Sequence, residues 1–332
     1  MKFVSTLLLA LGLAFGTRPA TAAFINGRSY LALGDWAGAN GFRLVRTSAS
    51  DEFLVTNRTQ RLVFEKNSRR VAINGVNVAL SFPVAVDKGA ALVAQLDLAK
   101  TIAPLIYPPK LAAKKIATIC LDPGHGGKDP GNRVGTNQEK VYTLLLAAEL
   151  QTQLKRAGFN VLLTRTKDAF VDLPARPELA NRRGADLFVS LHFNATEAGK
   201  DQVAGPEIYC ITPVGASSSN AQGEGANHGA CMANLVEKKS LLLAYQVQKS
   251  LVKNLGVPDR AVRRARFAVL REAAMPAILI ESGYMSNPAE ARKIFDANYR
   301  RQIATAIVNG ILAYQKLTVA VPPPKPANKK TK

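Results

Sequence analysis

Four polar residues of this chain have types and positions that suit the binding of a metal ion. His125, His192 and Glu281 each follow closely on a short apolar run, and Glu139 stands at the predicted start of a helix. Short apolar runs with β-branched residues are typical of buried strands in a parallel sheet. Because ligands bind where the carboxyl ends of such strands meet, we expect the three strand-end residues to lie at one edge of the sheet.

His125, Glu139 and His192 form the ligand set of an open catalytic zinc site, in which a fourth position is kept for water or substrate. Glu281 is then a second carboxylate, placed to accept a proton from the attacking water.

Taken singly, these features have simpler explanations. A glycine-rich turn explains the loop around His125, and a favourable interaction with a helix dipole explains Glu139. A phosphate-binding loop is excluded because the Walker spacing that ends in Lys-Ser/Thr is absent.

The sequence around these residues resembles the zinc-dependent N-acetylmuramoyl-L-alanine amidases (Amidase_3 family), which cut peptidoglycan. The resemblance runs from about residue 115 to residue 315 and rests on residues 122–131 (DPGHGGKDPG), 139–140 (EK), 163–165 (LTR), 180–181 (AN), 185–195 (ADLFVSLHFNA) and 275–287 (MPAILIESGYMSN). It implies that the two histidines and Glu139 bind Zn²⁺ and that Glu281 is the catalytic acid/base. The departures from the family pattern, Phe193 and residues 282–285, lie outside these four positions.

The reaction implied by the resemblance is hydrolysis of the amide bond between N-acetylmuramic acid and L-alanine by zinc-activated water, for cell-wall remodelling or cell separation. Its partners would be peptidoglycan and an activator protein. Two other classes stay open. A zinc peptidase that cuts within the stem peptide would use the same four residues, because hydrolysis of any amide bond needs the same catalytic groups. A wall-binding protein without activity would be expected to lack a ligand, and none is missing.

The chain of 332 residues is strongly basic, with a formal net charge of +20 at pH 7. Residues 1–22 have the charged start, short apolar middle and small-residue end of a cleaved signal peptide, with an uncleaved anchor as the alternative. Cleavage removes Lys2 and Arg18, which leaves a net charge of +18. We expect an exported protein of the periplasm or extracellular cell envelope, with no transmembrane segment after cleavage. Nucleic acid is not an expected partner, since aromatic content is only 7% and no nucleic-acid-binding motif is present.

The order of apolar runs predicts an α/β fold with an open, mostly parallel sheet and helices on both faces. The predicted strands are residues 116–121, 160–164, 186–191, 206–211, 266–270 and 277–280, and the predicted helices are 138–157, 174–183, 234–254, 288–296 and 299–316. The first helix is expected to begin after Asn137 as its N-cap. Its apolar face is expected to contain Val141, Leu144, Leu145 and Ala148.

The catalytic domain is expected at residues 115–316, preceded by a small α+β accessory domain at 24–105 and a linker at 106–114. Residues 29–37 and 91–99 form a weak internal repeat, in which each copy predicts a strand followed by a short helix. This domain resembles the N-terminal-like domain of copper amine oxidases. We expect this domain either to bind the cell wall or to give purely structural support, and the sequence favours neither role. Residues 317–332 are rich in proline and lysine and are expected to be a disordered tail.

An insertion rich in glycine, serine and asparagine follows the predicted strand 206–211. A parallel strand would bring this insertion over the metal, where it could act as a modest brake on activity. His228 within it is interpreted as a solvated loop residue, with metal binding as the alternative. Cys210 and Cys231 flank the insertion, and either a disulfide or two free thiols is possible. Arg165 and Arg176 are candidates for binding substrate carboxylates or for structural ion pairs.

Overall fold

The computed structural model describes residues 22–46, 51–108, 116–219 and 229–318. Residues 1–21 of the predicted signal peptide, most of the predicted linker, the tail beyond residue 318 and His228 lie outside these ranges. Within them, no helix is long and apolar enough to cross a membrane.

The chain begins with a β-rich part and continues with an alternation of strands and helices. The first part contains β1 (Ala22–Ile25), β2 (Arg28–Ala32), β3 (Arg43–Arg46), β4 (Glu52–Thr56), β5 (Arg61–Glu65), β6 (Arg70–Ile73), β7 (Val76–Ala79), β8 (Ala85–Asp87) and β9 (Ala90–Ala94). The second contains β10 (Thr118–Pro123), β11 (Arg133–Val134), β12 (Asn137–Gln138), β13 (Asn160–Leu163), β14 (Leu187–Asn194), β15 (Glu207–Ile211), β16 (Val262–Ala265) and β17 (Ala277–Tyr284).

The helices of the first part are short, and the three longest helices belong to the second part. In chain order, the helices and helical turns are α1 (Leu33–Ala39), α2 (Gln95–Asp97), a π-helical turn (Leu98–Ile102), α3 (Ala103–Ile106), α4 (Glu139–Arg156), α5 (Ala175–Arg182), a 3₁₀ turn (Met232–Val236), α6 (Glu237–Leu255), α7 (Ala268–Arg271), α8 (Pro288–Phe295) and α9 (Ala297–Thr318). The three longest, α4, α6 and α9, pack on one face of the sheet, while α5 and α7 lie over the other.

One sheet of eleven strands runs through both parts of the chain, in the order β13-β10-β14-β17-β15-β16-β7-β6-β5-β4-β3. Strands β13, β10, β14 and β17 are mutually parallel, which confirms the predicted α/β fold with a mostly parallel sheet in the second part. Strand β16 then joins β7 in parallel through the pair Val262 and Val78. The largest apolar cluster accordingly contains buried residues of both parts, including Ile73, Val78 and Leu241.

The weak internal repeat has a structural counterpart. Strand β2 leads directly into α1, and β9 leads directly into α2. The two strands pair with each other in an antiparallel ladder at the centre of a separate four-stranded sheet, ordered β1-β2-β9-β8. The strands β3 to β7 of the first part extend the large sheet. The domain boundaries given above stay predictions.

The direction of β15 differs from our expectation. Strand β15 pairs antiparallel with β17, so that Glu207 stands opposite Glu281 and the end at Ile211 points to the opposite edge of the sheet. The expectation that the following insertion hangs over the metal from this strand end is therefore wrong. Strand direction depends on the partner strand, and the partner was not visible in the local sequence pattern.

Two further local predictions are wrong. The predicted strand 266–270 is instead a two-residue loop after β16 followed by the first residues of helix α7. On α4, Val141 and Leu145 are exposed, whereas the buried face contains Thr143, Leu146 and Leu150. The polar Thr143 is buried because its hydroxyl donates to the carbonyl of Gly124. The positions of apolar residues alone therefore predicted the wrong buried face of α4.

Candidate active site

The loop after β10 brings His125 to the carboxyl edge of the sheet. His125 has a φ of +60°, a conformation that non-glycine residues rarely adopt. Two arginines hold this backbone in place. Arg165 donates to the carbonyls of Pro123 and Gly124 at 2.9 and 2.7 Å. Arg176 donates to the carbonyls of Pro123 and His125 at 3.1 and 3.2 Å. Of the two roles that the sequence left open for these arginines, the structural one fits both.

Beneath the loop, a buried ion pair fixes Arg176. Its Nη1 lies 2.9 Å from Oδ1 of Asp122, and both side chains are almost fully buried. The hydroxyls of Thr164 and Ser190 donate to the same carboxylate at 2.6 and 2.8 Å. Because every charge has a partner here, the network can hold a strained loop rigidly.

We expect Arg176→Met to lower the free energy of unfolding by about 3–5 kcal/mol, since it leaves the Asp122 carboxylate buried without its counter-ion. Urea denaturation followed by circular dichroism measures this change. Arg182→Met is the matched control, because Arg182 is an exposed arginine of the same helix whose ion pair with Glu178 is long, at 3.7 Å. The control should change stability by less than about 1 kcal/mol. Equal stability of the two variants would contradict a supporting role for the buried pair.

Two histidines and one glutamate come together at the sheet edge. The ligand atoms of His125, Glu139 and His192 all lie within 4.8 Å of one another. Nε2 of His125 is 3.1 Å from Oε2 of Glu139, and Nδ1 of His192 is 3.0 Å from Oε1. The two imidazole rings meet edge to face, with centroids 4.8 Å apart. This is the group that the sequence predicted, and it could hold a metal ion.

Glu139 is the buried centre of the group. It is the first residue of α4, whose N-cap is Gln138 rather than the predicted Asn137. Its two oxygens also accept the backbone N–H groups of Asn132 and Phe193, at 2.9 and 3.0 Å. Burial alone would raise the pKa of Glu139, but hydrogen bonds from both histidines outweigh it and lower the pKa. The carboxylate is thereby kept in the ionised form that a metal requires.

A second carboxylate orients His125 from behind. Nδ1 of His125 lies 2.8 Å from Oδ2 of Asp129, whose Oδ1 accepts the N–H of Gly131 at 3.1 Å. Burial would raise the pKa of Asp129, yet these hydrogen bonds more than compensate and lower it. A carboxylate that accepts from Nδ1 leaves Nε2 of the same ring available as a metal ligand. Sequence reasoning missed this role, although the spacing of four residues within one tight loop was a usable signal.

Close backbone approach makes a glycine necessary beside the ligands. A Cβ atom on Gly131 would lie 2.6 Å from both Oε2 of Glu139 and Cδ2 of His125. Gly131 also has a φ of +64°. Gly135 has a similar φ of +58°, but a Cβ atom there would meet nothing within 4 Å.

We expect Gly131→Ala to weaken metal affinity by about 10–100-fold, the range typical of changes that misplace metal ligands. Gly135→Ala has the same backbone strain without the clash, and should therefore keep parental metal affinity. Competition with a chromogenic chelator measures both. Loss of affinity in both variants would assign the effect to loop strain, and would contradict the role of close approach.

Glu281 faces the ligand group from β17. It stands opposite His192 in the parallel pairing of β14 and β17. Its Oε2 is buried and has no hydrogen-bond partner among the described residues. Burial raises the pKa of Glu281 well above its usual range, and the carboxylates of Glu139 and Glu207 raise it further. An unpaired carboxylate of raised pKa beside a candidate metal centre suits the transfer of protons.

A cavity of about 360 Å³ lies in front of these residues. Its polar lining consists of the ligand group, Asn132 and Glu281, and its apolar lining includes Leu173, Phe267 and Val269. Phe267 was not recognisable as a site residue from the sequence, because its segment was predicted to be a strand. A few convergent polar groups in a mainly apolar cavity are typical of a small-molecule or peptide site.

The cysteines flanking the insertion do not form a disulfide. Cys210 is buried with its Sγ 3.6 Å from the carbonyl of Arg263, and Cys231 contacts Asn234. Of the two alternatives, the structure has free thiols.

An open α/β sheet with a His-Glu-His group and a spare carboxylate at one edge defines a hydrolase with a candidate metal centre. The family model Amidase_3, described as N-acetylmuramoyl-L-alanine amidase, matches residues 119–313. The chain belongs to this family.

Named relatives agree with this assignment. The amidase AmiC of Neisseria meningitidis is 33% identical over 247 residues, which cover 68% of this chain and 58% of that protein. The amidase AmiA of Salmonella typhimurium is 34% identical over 229 residues, 62% of this chain and 78% of that protein. The solved structure of the amidase AmiC2 of Nostoc punctiforme has a TM-score of 0.51 and 33% identity, and covers 60% of this chain and 97% of that one. This chain thus spans little more than half the length of the Neisseria relative.

Proposed function

We propose that this protein hydrolyses the amide bond between N-acetylmuramic acid and L-alanine in peptidoglycan, with Zn²⁺ as its metal. The observation that supports this most directly is the convergence of His125, Glu139 and His192 in front of Glu281. Membership of the amidase family supports the choice of bond.

The residues present fit a zinc ion. Two imidazoles and one carboxylate are a typical ligand set for catalytic zinc, with the fourth position open. His125 and Glu139 are both held by further hydrogen bonds: Nδ1 of His125 donates to Asp129, and Glu139 accepts from two backbone N–H groups. When bound, Zn²⁺ supplies a Lewis acid that polarises the amide carbonyl and lowers the pKa of water toward about 7.

The chain's own residues then perform the proton transfers. Glu281 in its ionised form accepts a proton from the attacking water at Oε2 and passes it to the nitrogen of the leaving L-alanine. Because Oε2 of Glu281 is buried, bulk water does not compete for this proton. Glu139 stays ionised throughout, since the backbone N–H groups of Asn132 and Phe193 each donate to one of its two oxygens. Asp129 keeps the ring of His125 in one orientation.

The compartment and partners are part of the proposal. We infer that the protein is exported to the cell envelope, because its substrate is there and residues 1–22 have the pattern of a signal peptide. One solved relative is the CwlD amidase of Clostridioides difficile in complex with the GerS lipoprotein, at 26% identity and a TM-score of 0.51. That complex supports an activator protein as a further partner here.

Product analysis tests the proposal. The purified protein is incubated with purified cell wall, with and without a zinc chelator, and the released peptides are sequenced from the amino terminus. We expect peptides that begin with free L-alanine, and none after chelation. A new terminus within the peptide would instead indicate a zinc peptidase. Wall binding without any released product would indicate a binding protein.

A further inference from the structure

A second cleft lies where the two parts of the chain join in the large sheet. Its volume is about 340 Å³, and it is lined by β6 and β7 on one side and by β16 and the preceding loop on the other. Four of its lining residues are arginines: Arg69, Arg70, Arg260 and Arg263. Among the described residues of the lining, Asp259 is the one acidic residue.

The register of the sheet puts this cleft on the same face as Glu281. Glu281 stands opposite Glu207 on β15, and Arg263 of β16 contacts Glu207 from the same face, with Nε 2.8 Å from Oε2. Val262 of β16 pairs with Val78 of β7. The residues of β7 that neighbour Arg263 on this face are therefore Asn77 and Ala79. The candidate active site and the cleft therefore lie on the same face of the sheet, with the buried Glu207 between them.

Most of the charged groups in the cleft already have partners. The carboxylate of Asp259 accepts from the N–H groups of Asn77 and Ala261 and from the amide of Gln248, at 2.7–2.9 Å. Arg70 pairs with Glu65 at 2.7 Å, and Arg263 pairs with Glu207. These groups hold the walls of the cleft together. The two remaining arginines form no ion pair with them, although the carboxylates of Asp97 and Glu290 lie close enough to act on Arg69 and Arg260 respectively.

Of the four cleft arginines, Arg69 and Arg260 have no ion pair among the described residues. Arg69 donates its Nε to the carbonyl of Leu80, but its Nη2 is buried without a hydrogen-bond partner. Arg260 lies over the ring of Tyr284, and its Nε is likewise buried without a partner. A buried donor with no acceptor is costly, so these guanidinium groups favour an anionic ligand.

We propose that this arginine cleft, formed by Arg69, Arg260 and their neighbours, binds the carboxyl-terminal carboxylate of the peptide whose amino-terminal L-alanine lies at Glu281. The inference rests on the proposed function. The cleft is two to three strands from β17, which corresponds to roughly 10–14 Å at the usual strand spacing. A peptide of about three to five residues spans that distance when extended. The reaction itself thus delivers the carboxylate to the arginines.

Peptide binding tests the cleft without requiring turnover. A fluorescently labelled acidic peptide that begins with L-alanine is titrated with the full protein, once as the free acid and once as the carboxyl-terminal amide. We expect the parent protein to bind the acid on the order of tenfold more tightly, as one charge-assisted arginine contact would give. The double variant Arg69→Gln/Arg260→Gln should lose this preference. Arg156→Gln/Arg292→Gln removes the same charge from exposed positions and should retain it.

A second pair of variants distinguishes an effect of charge in the cleft from an effect of misfolding. Ala79→Glu puts a carboxylate into the cleft, whereas Ala79→Gln adds a side chain of nearly the same size without charge. We expect only Ala79→Glu to abolish the preference for the acid. Thermal unfolding of all variants is recorded in parallel.

Three outcomes would overturn the proposal: equal binding of acid and amide by the parent protein, an unchanged preference in the double variant, or identical behaviour of the two Ala79 variants. A glycerol-phosphate oligomer is titrated as a further probe, and arginine-dependent binding of that oligomer without peptide binding would assign the cleft to phosphate instead. If wall hydrolysis occurs but the peptide preference is absent, the cleft proposal fails and the proposed function stands. A preference without hydrolysis would support the cleft and contradict the proposed function.

Discussion

Glu281→Gln is expected to bind Zn²⁺ as the parent protein does and to lose about 10²–10⁴-fold in turnover, the usual contribution of general acid/base catalysis. The amide of glutamine has nearly the shape of the carboxylate, so the cavity should be preserved. It cannot accept a proton from water at neutral pH. Turnover on solubilised wall fragments and zinc content by mass spectrometry measure the two quantities separately.

Glu272→Gln is the control for this variant, because Glu272 is an exposed carboxylate in the segment that leads into β17. It should retain parental turnover. Normal hydrolysis by Glu281→Gln would show that another group transfers the proton. A loss of zinc in that variant would show instead that Glu281 is a ligand, and the assignment of roles would have to change.

Replacement of any ligand should remove zinc and activity together. We expect His125→Ala, Glu139→Ala and His192→Ala each to lose bound zinc, because three protein ligands leave no redundancy. Glu139→Ala should have the largest effect, since this side chain contacts both imidazoles and accepts two backbone N–H groups. Zinc content after dialysis and release of peptides from wall are the measurements.

His228→Ala is the matched control, since His228 is the third and last histidine of the chain. It should keep both zinc and activity. Loss of zinc in this variant would show that the insertion reaches the metal. Full zinc occupancy in any of the other three variants would remove that residue from the ligand set.

The convergence of the candidate ligand group was predictable because each member stands at a recognisable boundary. His192 and Glu281 lie within the carboxyl-terminal halves of β14 and β17, just beyond the apolar runs, and Glu139 opens α4. Local patterns locate such boundaries well, and parallel strands then bring their ends to one edge. The position of the site in the fold followed from these boundaries alone.

Groups that act through non-local contacts were not predictable. Glu207 meets Glu281 because β15 runs antiparallel to β17, and no local signal specifies that direction. Thr143 is buried on α4 because Gly124, nineteen residues away, supplies an acceptor for its hydroxyl. The join between Val78 and Val262 pairs residues from separate parts of the chain, and sequence periodicity contains no information about such partners.

That join makes the folding of the two parts interdependent. The hydroxyl of Tyr245 on α6 donates to the carbonyl of Ile73 at 2.8 Å, and Asp259 binds the backbone N–H of Asn77. Deletion of residues 22–108 would turn β16 into an exposed edge strand. Its unpaired N–H and C=O groups could then pair with a strand from another molecule. The first part of the chain therefore also serves as a covering for a sheet edge, and a truncated catalytic part would be prone to self-association.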